Sequence, residues 1–391
     1  MPQPQPGASP ATPKGLADVV AASTAISDID GQAGVLFYRG YDIHDLGGGV
    51  SFEECSHLLH RGDLPTVAEL DAYEAELTEG RGLGPTVEAL LETEVASRPP
   101  MEALRTLLSA LSVDDPDTDS NEPEANARKA ARLVAQMPVL VAAYHARRTG
   151  GEVPAPDPGL GIAGNFLLQI TGQRPDPTAV AVLDECLVLH ADHTMNASTF
   201  AARVCAATLS DMHSAVTAAI GTLKGPLHGG ANEQVMKMLT QIDDAVGDAD
   251  ADARQQATEE DVRRRLDAGE KIMGFGHRVY RTEDPRATHL RRMSQSLAEL
   301  TGESKWYDMS AHMERTVFEV KGLRPNVDFY AASVYHYLGI PTDLFTPVFS
   351  VSRMSGWTAH VIEQHADNRL IRPDSEYIGP APRKVKPLAD R

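Results

Sequence analysis

The chain has 391 residues, 42% of them hydrophobic but only 5% aromatic, and a formal charge of −19, so it can fill two domains or one large body with an inserted lobe. That acidity leaves no basic surplus to neutralise phosphates, which excludes nucleic acid as the main partner. No stretch approaches the run of about 20 apolar residues that spans a bilayer.

In chain order, residues 1–14 are rich in Pro, Gln and Ser and lack both a basic and an apolar run, so they read as a disordered tail and not a secretory signal. Residues 24–41, TAISDIDGQAGVLFYRGY, predict two short strands around an Asp-Gly turn. From Phe52 onward the apolar spacing is helical, as in Met101–Leu111, where Leu104, Leu107, Leu108 and Leu111 recur at steps of three and four. With Ala, Leu and Glu plentiful, the expected fold is mainly α with a small N-terminal β-hairpin. The acidic segments 113–125 and 243–260 read as solvated loops or exposed helix faces. No repeat of fixed period is present. Three scattered cysteines, Cys55, Cys186 and Cys205, cannot build a disulfide framework and suit a reducing cytoplasm.

Five later segments carry chemistry. In LHADHTMNASTF, His190 and His193 stand three apart, on one face if the segment is helical; capping or core histidines account for them as well as a site does. A zinc site would need a third ligand, and none stands at a recognisable spacing. In GPLHGGANE, His228 lies in a Gly-rich connection ahead of a helix expected from about Asn232, whose dipole disfavours imidazolium. A neutral His there can donate a hydrogen bond to a developing enolate oxygen, and Gly229-Gly230 leaves room for a ligand. In MGFGHRVYRTEDPR, Asp284-Pro285-Arg286 predicts a helix start with a cation in its first turn, which opposes the dipole unless an anion lies nearby. Asp328 falls in the first turn of a further helix, where a carboxylate is structural by default. Arg353, among Val348, Val351, Met354 and Trp357, needs an anionic partner from the fold or from a ligand. Arg372 sits before Pro373 in a non-helical segment, where a surface arginine is the plain alternative.

Taken together and in this order, LHADH…NASTF, GPLHGGANE, MGFGHRVY…DPR, RPNVDFY, SRMSGW and RPxxEYIGP resemble the citrate synthase family from about Gly15 to Pro380. YRGYDI, FEECSHLLHRGDLP and RPPMEALRTLLSAL join the likeness. The resemblance implies a large helical domain over 15–228 and 333–391 and a small helical lobe over 229–332 that closes on the substrates. It implies a cytoplasmic homodimer of the dimeric rather than the NADH-regulated hexameric type. It also implies condensation of acetyl-CoA with oxaloacetate to citrate and CoA, without metal or other cofactor.

The residue roles implied are as follows. Asp328 takes the methyl proton, His228 donates to the thioester oxygen, and His277 polarises the oxaloacetate carbonyl. His193, Arg286 and Arg353 hold its oxygens, and Arg372 reaches in from the partner subunit. Met273, Gly274, Phe275 and Gly276 meet the CoA adenine, with Lys271 and Arg281 near the phosphates. Such a pairing of base and enolate donor is needed because a thioester α-proton is too weakly acidic for a carboxylate alone. Two positions depart from the family pattern: Thr194, where Glu is usual, and Asp374, where a basic residue is common. The motifs leave 2-methylcitrate synthase, acting on propionyl-CoA, as the alternative. A zinc hydrolase built on the histidine pair and a silent CoA-binding relative are the readings from other classes.

Overall fold

The computed structural model describes residues 14–16, 19–248 and 250–391. The tail expected over 1–14 lies, all but its last residue, outside them. Sixteen α-helices run through the described residues, and the mainly α expectation is met. The hairpin is β1 (Ser27–Asp30) and β2 (Val35–Tyr38), antiparallel with Ser27 opposite Tyr38. A third strand the sequence reading missed, β3 (Tyr41–Asp42), extends the sheet.

The helices of the first half are α1 (Ile43–Leu46), α2 (Phe52–Arg61), α3 (Val67–Glu79), α4 (Gly84–Leu91), α5 (Pro100–Asp114), α6 (Pro123–Thr149), α7 (Ile162–Thr171) and α8 (Pro177–His190). The second half holds α9 (Ala197–Ala206), α10 (Met212–Leu223), α11 (Ala231–Val246), α12 (Ala251–Asp267), α13 (Pro285–Thr301), α14 (Lys305–Lys321), α15 (Val327–Tyr337) and α16 (Phe345–Ala366). In α5 the expected stripe Leu104, Leu107, Leu108 and Leu111 is buried. The acidic segment 243–260 is mostly helix: it closes α11 and opens α12, where Asp243 pairs with Arg254 and Lys305.

Helices α6 and α16 are buried along most of their length. Helix α16 forms the axis of the molecule, packed by α2, α6, α8, α9 and α10. Its hydroxyls turn inward to partners: Ser352 donates to the Leu187 carbonyl, Ser355 bonds Ser56, and Thr346 donates to the Gly229 carbonyl. A second group, α11 to α15, packs on itself and meets the rest where α13 touches α1 and α8 and where α11 touches α16. No helix among the described residues is long and apolar enough to cross a membrane.

Glycine allows the closest approaches. A Cβ on Gly356 would lie 2.3 Å from the Ala191 carbonyl oxygen and 2.6 Å from Asp192 Oδ1. Replacement of Gly356 by Ala is therefore expected to cost about 2–3 kcal/mol through forced separation of packed backbone. Urea unfolding of the two proteins checks this; a loss below about 0.5 kcal/mol would mean that α16 and the 191–192 segment part freely.

Candidate active site

His193, Arg286 and Asp328 stand beside helix starts fixed by local caps. Asn196 Oδ1 accepts from the Ser198 and Thr199 amides at the head of α9. Asp284 Oδ1 accepts from the Arg286 amide at the head of α13, and Asn326 Oδ1 from the Asp328 amide at the head of α15. Short polar side chains favour such caps because their oxygens reach donors that the first helical turn leaves free.

Helix α8 ends at His190, so His190 and His193 do not share a helical face as the spacing suggested. His190 is the core histidine: fully buried, its Nδ1 donates to the Cys186 carbonyl at 2.7 Å. His193 lies in the following loop, with Nε2 3.3 Å from Tyr280 Oη and its ring 5.3 Å from that of His277. The described residues hold no group of three or more His, Cys, Asp or Glu that could bind a metal ion.

His277 and His228 have fixed tautomers. His277 Nδ1 accepts the amides of Val279 (3.0 Å) and Tyr280 (3.2 Å), so its proton resides on Nε2. His228 Nε2 accepts the Ser198 amide at 3.3 Å and lies 2.8 Å from Ser198 Oγ, so its proton resides on Nδ1. Trp357 Nε1 donates to that hydroxyl at 3.1 Å. Burial, then Arg353 for His228 and Arg286 for His277, pushes both imidazoles down to about 4. Both are neutral donors at pH 7.

The two arginines buried at this cluster are held differently. Arg286 grips Asp284 with both prongs, at 2.9 and 2.8 Å, so the anion expected near this helix start comes from the fold itself. Asp284 Oδ2 also accepts the Val327 amide at 3.2 Å, which ties the heads of α13 and α15 together. Arg353 donates from Nε to the His190 carbonyl at 2.7 Å and lies 4.6 Å over the Phe349 ring. Among the described residues no carboxylate pairs with it, and its terminal nitrogens have no hydrogen-bond acceptor. Burial brings its pKa down to about 10, with Asp192 the chief opposing charge.

Asp328 completes the cluster. Burial raises its carboxyl to about 6 against the opposing pull of Arg286 and Arg353, and among the described residues no donor binds its oxygens. A carboxylate so placed is ionised at neutral pH yet basic enough to take a proton.

The segment ahead of His277 is clipped to the loop before Asp328. The Gly276 amide donates to the Arg324 carbonyl, the Asn326 amide to the Gly274 carbonyl, and Asn326 Nδ2 to the Gly276 carbonyl. Gly274 takes φ +83°, and a Cβ there would strike Phe329 and Val235 at 2.9 Å. The Phe275 ring packs at a tilt against Phe329, centroids 4.4 Å apart, Met273 is half-buried, and Lys271 and Arg281 are exposed. Beside His228, Gly229 is set by packing, since a Cβ would lie 2.4 Å from the Leu223 carbonyl oxygen, whereas Gly230 faces open space.

Arg372 is not brought to this cluster. It lies on the exposed extended segment after α16 and lines a groove of about 740 Å³ with Val19, Phe200, Arg203 and Glu363. Sequence reading gave Asp284 only a capping role and assigned none to Tyr280, Ser198 or Trp357. All four stand in quoted motifs, yet only contacts show which side chains turn inward.

The model of the family described as citrate synthase, C-terminal domain, matches residues 15–374. The chain is 50% identical to citrate synthase 2 of Bacillus subtilis, over 97% of this chain and 99% of that one. It is 42% identical to a 2-methylcitrate synthase of Shewanella oneidensis, over 97% and 98%. The fold superposes with a TM-score of 0.87 on the citrate synthase of Thermoplasma acidophilum in ternary complex with carboxymethyl coenzyme A and oxaloacetate, at 32% identity, covering 97% of this chain and 99% of that one.

The raised carboxyl of Asp328 carries a stability cost with a defined sign. Its folded pKa of about 6 exceeds the ordinary 3.8, so the native state is penalised for ionising it above pH 6 and not below pH 3.8. Asp328→Asn is expected to unfold about 1–2 kcal/mol harder than the parent at pH 8, with the difference vanishing near pH 4. Denaturant titrations at the two pH values check it.

Proposed function

The chain belongs to the citrate synthase family, and from that premise we propose that it condenses acetyl-CoA with oxaloacetate and hydrolyses the resulting thioester to citrate and CoA. The observation that carries this reading is a basic, unbonded carboxylate, Asp328, beside a buried guanidinium, Arg353, that no carboxylate of the fold pairs. Such a site calls for a polyanionic ligand next to a proton acceptor.

Asp328 removes a proton from the methyl carbon of acetyl-CoA, and the electron pair moves to the thioester oxygen. The free Nδ1–H of His228 donates to that oxygen, because Ser198 occupies Nε2. The enolate carbon then attacks the keto carbon of oxaloacetate, whose oxygen takes a proton from His277 Nε2. Water finally cleaves the C–S bond, releasing carboxylate and thiol. Arg286, Arg353 and His193 hold the dicarboxylate; bidentate guanidiniums suit carboxylates geometrically. The chemistry so written uses side chains alone, without a cofactor.

Helices α11 to α15 form the lobe that closes over the substrates, with the division near 229 and 332. Closure excludes water until both substrates are seated. Met273 to Gly276 receive the adenine of CoA, with Lys271 and Arg281 at the phosphates. Two chains form a dimer, and Arg372 of each completes the site of the other; its exposure in the single chain and its distance from the histidine cluster support that arrangement. Three free cysteines, two of them buried, fit a cytoplasmic protein. Propionyl-CoA is the alternative acyl donor, and the Shewanella relative favours weighing it; one methylene changes pocket fit by only about 1–3 kcal/mol.

Thiol release with oxaloacetate and either acyl-CoA tests the reaction. A higher kcat/KM with acetyl-CoA is expected; preference for propionyl-CoA would make the enzyme a methylcitrate synthase, and no thiol from either would overturn the reading. With acetyl-CoA, kcat/KM is expected to fall about tenfold per pH unit below pH 6 as Asp328 takes up its proton, and a rate flat down to pH 5 would remove it as the base.

Mixed dimers address the shared site. Arg372→Ala should raise the oxaloacetate KM. In heterodimers pairing Arg372→Ala with Asp328→Asn chains, half the sites carry both lesions and half carry neither, so native-like oxaloacetate affinity at those active sites is expected. A uniformly raised KM would place Arg372 in its own subunit's site.

A further inference from the structure

His193 depends on a strained turn. Thr194, the next residue, takes φ +50°, a left-handed conformation that is unfavourable for a β-branched residue. The turn is held from behind by Asp192, fully buried, whose Oδ2 accepts the Thr194 amide at 3.0 Å and the Ser27 hydroxyl. Ser27 Oγ also accepts the Thr194 amide at 3.1 Å, and Tyr38 Oη donates to the Asp192 carbonyl at 2.8 Å.

The remaining face of the Asp192 carboxylate meets His360, fully buried on α16, with Nε2 3.3 Å from Oδ1 and 3.4 Å from Oδ2. Arg203 Nη1 donates to His360 Nδ1 at 3.0 Å, so the ring's proton resides on Nε2 and points at Asp192. Arg203 is itself fixed by Gln364 (3.0 Å) and Glu363 (2.5 Å), and Glu363 accepts the Ala25 amide at 2.8 Å. The chain of contacts thus runs Ala25–Glu363–Arg203–His360–Asp192 and ends on Ser27, two residues from its origin. His360 also lies seven residues after Arg353, on the same face of α16, so one helix grips the 190–194 segment at both ends.

We propose that His360 is a positioning residue for the oxaloacetate site: its Nε2–H, oriented by Arg203, fixes the Asp192 carboxylate and through it the backbone turn that presents His193. The proposal rests on the reading of His193 as an oxaloacetate ligand. A core histidine of purely structural value would stabilise the protein without favouring one substrate; a positioning residue acts on oxaloacetate affinity and spares the acyl-CoA.

Two substitutions separate these cases. In His360→Gln the amide nitrogen falls near Nε2 and can still donate to Asp192, whereas in His360→Asn it falls near Nδ1 and cannot. His360→Asn is expected to raise the oxaloacetate KM, and the calorimetric Kd for oxaloacetate alone, by roughly tenfold, with the acyl-CoA KM within about twofold; His360→Gln should restore both to within about threefold of the parent. Unchanged oxaloacetate affinity in His360→Asn with a lowered Tm would overturn the proposal, as would equal damage to both substrates that Gln does not repair. If His360→Asn does not fold, a folded His360→Gln with raised oxaloacetate KM overturns it and one with native affinity supports it. A parent protein that neither binds oxaloacetate nor releases thiol would instead sink the proposed function.

Discussion

The burial of two guanidinium groups inside a helical body is the constraint on which this structure turns. Taking such a charge out of water costs several kcal/mol unless it is paired and hydrogen-bonded. Arg286 is compensated locally by the bidentate grip of Asp284, which simultaneously caps α13 and anchors the head of α15. Arg353 is only half compensated, by one carbonyl, an aromatic face and the more distant Asp192. The uncompensated part is a local positive field inside a chain of charge −19.

The field of the two guanidiniums, second to burial, biases their titratable neighbours. It adds to burial in keeping His193, His228 and His277 neutral, and for His228 and His277 the protonated nitrogen is fixed by the amides accepted at the other. It opposes burial at Asp328, which holds that carboxyl near 6 instead of letting it drift higher. The same two positive charges lower the pKa of carboxyl and imidazoles alike, whereas burial moves the two kinds of group in opposite directions.

Backbone geometry supplies the remaining precision. Four loops converge on the site, and each is pinned by an amide given to a side chain: Ser198 to Asn196 and His228, Thr194 to Asp192, Tyr280 to His277, Val327 to Asp284. The glycines at 31 and 34 let the hairpin turn press against 279–282, where a Cβ at either would come within 2.4 Å of an oxygen. The His277 segment is thus fastened to the hairpin through the Arg281 amide and to the α15 head through Gly276.

By itself the sequence determined the local events. The cap at Asp284, the apolar stripe of α5 and the hairpin around 31–34 follow from residue types at short spacing, which the backbone reads without distant help. The ordered motifs pointed to the family and to the cluster's members. What only the tertiary structure decided is which way each charge is satisfied. Spacing could not say that His190 turns into the core while His193 turns to Tyr280, since that depends on where α8 ends. Nor could it say that Arg286 carries its own counter-ion and Arg353 does not, or that His360, 168 residues from Asp192, holds it in place. Electrostatic pairing acts over a few ångströms in space and is blind to distance along the chain, so it becomes legible only once the helices have packed.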